Sequence, residues 1–351
     1  MIVFLSLFAA CVRPPPGQME AALGTVCAVN LFERGTASLY SRIFSRIHEI
    51  DRIMGFHGET ADALASGIAA INLRAGIEPV KVRADVMKVL ETALFYAELS
   101  GGAFDPSIGP LVRLWDIGGD SGGRIPGEEE IAAALDLVNW QNIVIDREAQ
   151  TVFLRREGMA LDLGAIAKGY AADEAARIAA EAGVRRAIFD FGGDIFVLGH
   201  RAQGGRGRQR RNESPWRIGI QNPLMAERRS HVGVLHVYNR GIVTSGVYQQ
   251  FFEQDGIRYH HILSPITGFP VDNGLLSVTV VASRSMNADA LSTAAFVLGF
   301  EEGRALIDSR PDAEAIFIFD DNSIKATRGL KEIFTPAVGT TTDEFVITFL
   351  E

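Results

Sequence analysis

Cysteine is scarce in this chain of 351 residues: only Cys11 and Cys27 are present. Two thiols exclude a disulfide scaffold and a multi-cysteine zinc or iron–sulfur centre. Positive charge is also short, with 34 Lys and Arg against 43 Asp and Glu. The net charge of −9 argues against a general binder of nucleic acid or anionic membrane, which needs surplus positive charge. No repeat of about 20–50 residues stands out. The phosphate loop Gly-x-x-x-x-Gly-Lys-Ser/Thr is absent, and no strand runs into Gly-x-Gly-x-x-Gly. A dinucleotide, if bound, is therefore not held in the Rossmann manner.

What is present is an ordinary globular balance, 47% hydrophobic and 22% charged, on a chain long enough for one large domain or two smaller ones. The 36 glycines point to many tight turns. Met1 to Ala10 is almost wholly apolar and is followed by Cys11 and Pro14-Pro15-Pro16. This run is too short to span a bilayer but fits the apolar core of a secretory signal. Small residues before Cys11 resemble a bacterial lipoprotein cleavage site, although no Lys or Arg precedes the run and Phe8 stands where Leu is usual. The expectation is an exported protein, with Cys11 a possible lipid anchor. Cys27, within Val26-Cys27-Ala28-Val29, reads as a small core residue.

Periodicity predicts strands over 21–32, 186–191, 195–198, 216–220, 232–238, 242–244 and 276–282. Hairpins are expected at Asp255-Gly256, between 249–254 and 257–263, and at Asp320-Asp321-Asn322, between 315–319 and 323–326. Leu39, Ile43, Ile47, Ile50 and Met54 recur at helical spacing, as do Val86, Val89, Leu90, Ala93, Leu94 and Ala97. Further helices are expected after Pro126-Gly127, from about 167 to 182, and over 286–298. Strands and helices mix without βαβ alternation, which favours α+β over a doubly wound sheet. The Arg- and Gly-rich stretch 200–212 reads as a solvated insertion, with a phosphate or RNA contact as the alternative.

Four segments carry more specification than folding needs. Asp105, in a loop bounded by glycines and by Pro106 and Pro110, either accepts hydrogen bonds from a ligand or stabilises its own turn. In Asp162-Leu163-Gly164-Ala165-Ile166-Ala167-Lys168-Gly169, a helix starts at small residues. Its free amides suit phosphate and Lys168 adds a point charge, while Asp162 reads as a cap. His260 and His261 lie on a predicted strand and face opposite sides, so one can line a site while the other is solvated. Asp289 and Thr293, four apart, share one helix face. A carboxylate plus a hydroxyl suits a hard ion such as Mg²⁺, and the plain alternative is a Thr bonded back to its own helix.

In this order along the chain, these segments resemble the ApbE family of flavin transferases. The resemblance covers about 21–334. It includes Leu23-Gly24-Thr25, Ser66 through Asn72, Phe104-Asp105-Pro106, Asp162 through Tyr170, Gly192-Gly193-Asp194, Thr244-Ser245-Gly246, Arg258-Tyr259-His260-His261-Ile262, Pro265-Ile266-Thr267-Gly268 and Ala288 through Thr293. It implies an α+β fold: a single large domain over 17–340, with mixed and antiparallel sheets packed by helices, a signal segment and linker at 1–16, and a tail at 341–351. It implies Mg²⁺ held by Asp289, Thr293 and the Ala165 carbonyl. It implies FAD contacts from Asn72, Asp105, Asp162 and Lys168, with His261 as the catalytic histidine. Departures from the family pattern are Ser264 for an aspartate, Ile266 for an arginine, Leu23 for Met, and Val247 where a polar residue is common.

The activity so implied is Mg²⁺-dependent transfer of FMN from FAD to a threonine hydroxyl of an acceptor redox flavoprotein, releasing AMP. It would act at the periplasmic face of the inner membrane or in the periplasm. Two alternatives use the same residues: an FAD pyrophosphatase in which water attacks, and a non-enzymatic exported FAD-binding protein. A redox flavoprotein ranks lower, because no redox cysteine pair is present. No nucleic-acid partner is expected.

Overall fold

The computed structural model describes residues 17–56, 65–119, 122–202, 213–224, 230–337 and 345–351. Cys11 with its apolar run, and nearly all of the 200–212 insertion, lie outside the described residues. Among the described residues no helix is long and apolar enough to cross a membrane.

A nine-stranded sheet forms the centre. Its strands, in spatial order, are β1 (Gln18–Ala22), β2 (Thr25–Leu31), β6 (Ala187–Phe191), β7 (Asp194–Leu198), β12 (Arg240–Gly246), β15 (Leu275–Ala282), β16 (Ala313–Phe319), β17 (Ser323–Ala326) and β19 (Val346–Phe349). All neighbours are antiparallel except β17 and β19. The expected α+β class with mixed sheets is what forms.

Strand alternation explains why both faces of this sheet are covered. Along β16, Ala315 and Phe317 enter one core, while Ile316 and Ile318 enter another. The first core packs α1 (Ala37–Met54), α3 (Ala84–Leu99), α6 (Ala167–Glu181) and α7 (Ser285–Leu298) against the sheet. The second packs a three-stranded sheet of β10 (Trp216–Gln221), β11 (His231–Val237) and β18 (Phe334–Pro336). Arg46 of α1 links the helices through Asp85 of α3 at 2.9 Å and Glu174 of α6 at 3.4 Å. A third small cluster gathers Leu111 and Trp115 of α4 (Gly109–Trp115), Ile131 of α5 (Glu128–Leu135) and Leu263. Against it stands the separate hairpin β13 (Phe251–Gln254) and β14 (Ile257–His260). The remaining elements are α2 (Ile68–Leu73), α8 (Phe300–Asp308), the sheet β3 (Val80–Lys81), β5 (Thr151–Leu154) and β4 (Ile143–Asp146), and the pair β8 (Arg201–Ala202) and β9 (Glu213–Ser214).

Three sequence expectations change. The single strand expected over 21–32 is the hairpin β1–β2, turned at Leu23 and Gly24 with φ of 54° and 68°. A leucine rarely adopts positive φ, so the usual turn signal is missing. The loop expected through Leu111 contains α4, whose Pro110 sits at the helix start, where a missing amide costs nothing. Residues 341–351, read as a tail, include β19 on the sheet edge.

Candidate functional site

Three elements converge on one buried group of charges. α6 brings Lys168 as its second residue, α7 brings Asp289 and Thr293, and β7 opens with Asp194. The helices can approach because their contact has no side chain on one partner. A Cβ on Gly169 would lie 2.4 Å from the Ser285 carbonyl oxygen, and one on Gly241 of β12 would lie 2.6 Å from Ser285 Cα. The start of α7 is thus wedged between α6 and the sheet. Asp173 of α6 fixes that wedge by accepting from the Ser285 and Met286 amides at 2.8 and 3.2 Å, a cap supplied by a neighbouring helix.

Asp289 is buried, and its Oδ2 accepts the Gly169 amide at 3.0 Å. Its Oδ1 stands 3.8 Å from Lys168 Nζ. Lys168 lies closer to Asp194 Oδ2, at 3.0 Å, and donates to the Gly164 carbonyl at 2.9 Å. Burial opposes the Lys168 ammonium, but Asp194 and then Asp289 outweigh it and hold its pKa above the ordinary lysine value. Burial raises both aspartates against the pull of Lys168, and the charge of Asp289 adds to the rise at Asp194. Two buried carboxylates thus share one ammonium.

Hydroxyls complete this face. Ser245 Oγ of β12 lies 2.8 Å from Ser292 Oγ and 3.1 Å from Thr293 Oγ1. Ser292 Oγ donates to the Asp289 carbonyl at 2.9 Å. Among the described residues no three His, Cys, Asp or Glu side chains gather as a metal site. Asp289 and Thr293 set one carboxylate and one hydroxyl on one helix, and the Ala165 carbonyl lies just before the start of α6, three residues before Lys168. An all-oxygen set beside two buried carboxylates that share one ammonium fits a hard divalent cation.

His261 follows β14 directly. Its amide and its Nδ1 both meet the Gln250 carbonyl, at 3.0 and 3.2 Å. A carbonyl only accepts, so Nδ1 carries the proton and Nε2 keeps its lone pair. Burial pushes the His261 pKa down to about 4 against the Gln250 bond, and the nearby Lys168 charge adds to the fall. The ring is therefore neutral at physiological pH. The strand expected to carry both histidines ends at His260; that residue is buried, edge-on to Phe296, with Nε2 2.8 Å from the Val271 carbonyl.

The other expected site residues divide. Asp162 does not cap α6, whose N-cap is Ile166 with no side-chain bond; its Oδ1 accepts the Gly164 amide at 2.8 Å in a turn before the helix, and the residue stays partly exposed near Lys168. The α6 start offers less to a phosphate than its sequence suggests. Leu163 takes the Ile166 and Ala167 amides, and Asp289 takes that of Gly169. Asp105 is buried and engaged in its own turn. It accepts from the Ser107 amide and hydroxyl at 2.7 and 2.6 Å and from the Trp140 amide at 3.0 Å. Asn72 clamps the Leu161 backbone, donating to its carbonyl at 3.0 Å and accepting from its amide at 2.7 Å. Both face inward because backbone groups in loops need partners. Ser264 accepts from the Ile266 and Thr267 amides at 3.2 Å each, a part an aspartate there could equally play. The sequence alone gives Asp194 no role. Its only signal was the Gly192-Gly193-Asp194 motif.

The ApbE family model matches residues 23–317. The "FAD:protein FMN transferase" of Treponema pallidum is 37% identical over 320 residues, covering 89% of this chain and 86% of the relative. The protein of the same name from Klebsiella pneumoniae is 35% identical, covering 90% and 92%. A crystal structure of the ApbE protein of Thermotoga maritima superposes with a TM-score of 0.79 at 30% identity, covering 90% of this chain and 98% of that one.

Proposed function

The chain belongs to the ApbE family, and from that premise we propose that it is the enzyme that moves FMN from FAD onto a threonine hydroxyl of an acceptor flavoprotein, releasing AMP. One observation carries the proposal: the oxygen-lined cluster around Lys168 and Asp289 lies within electrostatic reach of a neutral His261 whose Nδ1 meets the Gln250 carbonyl, leaving Nε2 unprotonated.

The steps follow from what each group can do. His261 Nε2 accepts the proton of the acceptor hydroxyl, while the Gln250 carbonyl holds the ring in the required tautomer. The threonine oxygen attacks the FMN-side phosphorus, a new P–O bond forms, and the bond to the AMP phosphate breaks. Lys168 and Asp162 contact the FAD from the open side. Asn72 and Asp105 act through the loops they hold, Asn72 by fixing Leu161, one residue before Asp162. Asp289, Thr293 and the Ala165 carbonyl would hold Mg²⁺, which supplies charge neutralisation for the pyrophosphate. FAD phosphates entering beside His261 would oppose the depression of its pKa and make it a better base.

The apolar run before Cys11 supports export and so an exported redox protein as acceptor, with Cys11 as the lipid anchor. The test is the intact mass of a threonine-bearing acceptor domain after incubation with the protein, FAD and Mg²⁺, with AMP measured in the same tube. A gain of one FMN with stoichiometric AMP, both lost on chelation, is the expected result. AMP without a mass gain would replace transfer by hydrolysis, and intact bound FAD would leave only a binding protein.

A further inference from the structure

Lys168 has two carboxylates within reach and chooses the one that the family resemblance assigns no role. Its Nζ is 3.0 Å from Asp194 and 3.8 Å from Asp289. We propose that Asp194 is a positioning residue that keeps the Lys168 ammonium off Asp289, leaving the Asp289 and Thr293 oxygens open to a divalent cation. This rests on the reading of Asp289 and Thr293 as cation donors.

The geometry makes the competition direct. The Lys168 ammonium, about a quarter exposed, faces two buried carboxylates, and the lysine stem is flexible. Without a charge at position 194, the carboxylate in ion-pair range of Lys168 is that of Asp289, at 3.8 Å against 3.0 Å for Asp194, with Asp162 contributing a weaker pull. Lys168 would then close on the oxygen that the cation needs. Asp194 is suited to prevent this because it cannot drift. It faces Phe191 in the β6–β7 register, after a turn in which Gly192 and Gly193 have φ of 70° and 100°. Asp190 Oδ1 accepts the Gly193 amide at 2.9 Å and pins that turn. The Gly164 carbonyl gives Lys168 a second acceptor away from Asp289.

The experiment is a double-mutant cycle read by calorimetric Mg²⁺ titration and by Mn²⁺ electron paramagnetic resonance on the FAD-free protein. Asp194→Asn keeps the shape and removes the charge. It should weaken cation binding at least about tenfold in the native background. In the Lys168→Met background, where no ammonium can migrate, the same change should cost less than about threefold. Lys168→Gln repeats the cycle if the methionine variant does not fold. Equal weakening in both backgrounds would reduce Asp194 to a simple charge effect, and no weakening in either would remove its role; each overturns the proposal. Asp289→Asn and Thr293→Ala separate the two levels. If these leave cation binding intact, the donor assignment itself fails. If they abolish it while Asp194→Asn does nothing, only the positioning claim fails.

Discussion

The contact between Gly169 and Ser285 offers the sharpest perturbation. A methyl at Gly169 would sit 2.4 Å from the Ser285 carbonyl oxygen, so the backbones must separate by about 1 Å to reach ordinary contact. Overpacking of this kind costs about 2 kcal/mol. At roughly 2.1 cal/mol/K per residue of unfolding entropy, a chain of 351 residues would lose only about 3 °C of Tm. The chemistry should suffer far more, because the same displacement carries Asp289 away from the Gly169 amide and from Lys168. A misplacement of about 1 Å can cost about a hundredfold in rate. The assay is FMN transfer to an acceptor domain alongside calorimetric melting of Gly169→Ala. Gly303→Ala is the control: its Cβ would meet the Ala295 carbonyl at 2.5 Å, but α8 carries none of the site residues. It should lose similar Tm and keep most of its rate. If Gly169→Ala melts lower yet transfers FMN within about threefold of the parent, the helix spacing does not set the site.

Further expectations can be checked by ordinary means. Asp289→Asn should lower transfer at least about a hundredfold through lost charge stabilisation, with added Mg²⁺ failing to restore it. His261→Gln should slow transfer by about 10² to 10⁴ while FAD affinity, measured by fluorescence, holds. With the His261 pKa at about 4, the acid limb of kcat/KM should lie far below the usual histidine value of about 6.5. The same shift bears on stability. Between about pH 4 and 6.5 the unfolded histidine binds a proton that the native one does not. Its contribution is therefore full above 6.5 and falls as pH drops toward 4, a slope that urea titrations should find reduced in His261→Gln. Asn72→Ala leaves the Leu161 amide without its partner and should cost about 1–3 kcal/mol by urea unfolding, with weaker FAD binding.

Much of this arrangement is legible in the sequence because it is local. The spacing of Asp289 and Thr293 fixes a shared helix face, and the Asp255-Gly256 pair marks the hairpin that delivers His261. What was hidden depends on distant chain segments. Asp194 is one acid after two glycines until β7 places it beside Lys168. Asp105, in a loop, can face either way, and Asn72, on α2, takes its ligand role only from the family resemblance. Only the positions of Trp140 and Leu161 show that they face inward. The turn at Leu23 was missed for another reason: the sheet imposes on a leucine a backbone conformation that its side chain disfavours.

The pairing of Lys168 with Asp194 and Asp289 also bears on the order of events in the making of the protein. Buried acids that depended wholly on an external ion would tie folding to metallation, as in small zinc domains that are unfolded without metal. Here the chain carries its own counter-ion, so it can reach native packing first and be charged with a divalent ion afterwards. A chelator should then strip activity while leaving the melting curve almost where it was. Metal supply would govern how many folded molecules are competent, and not how many fold.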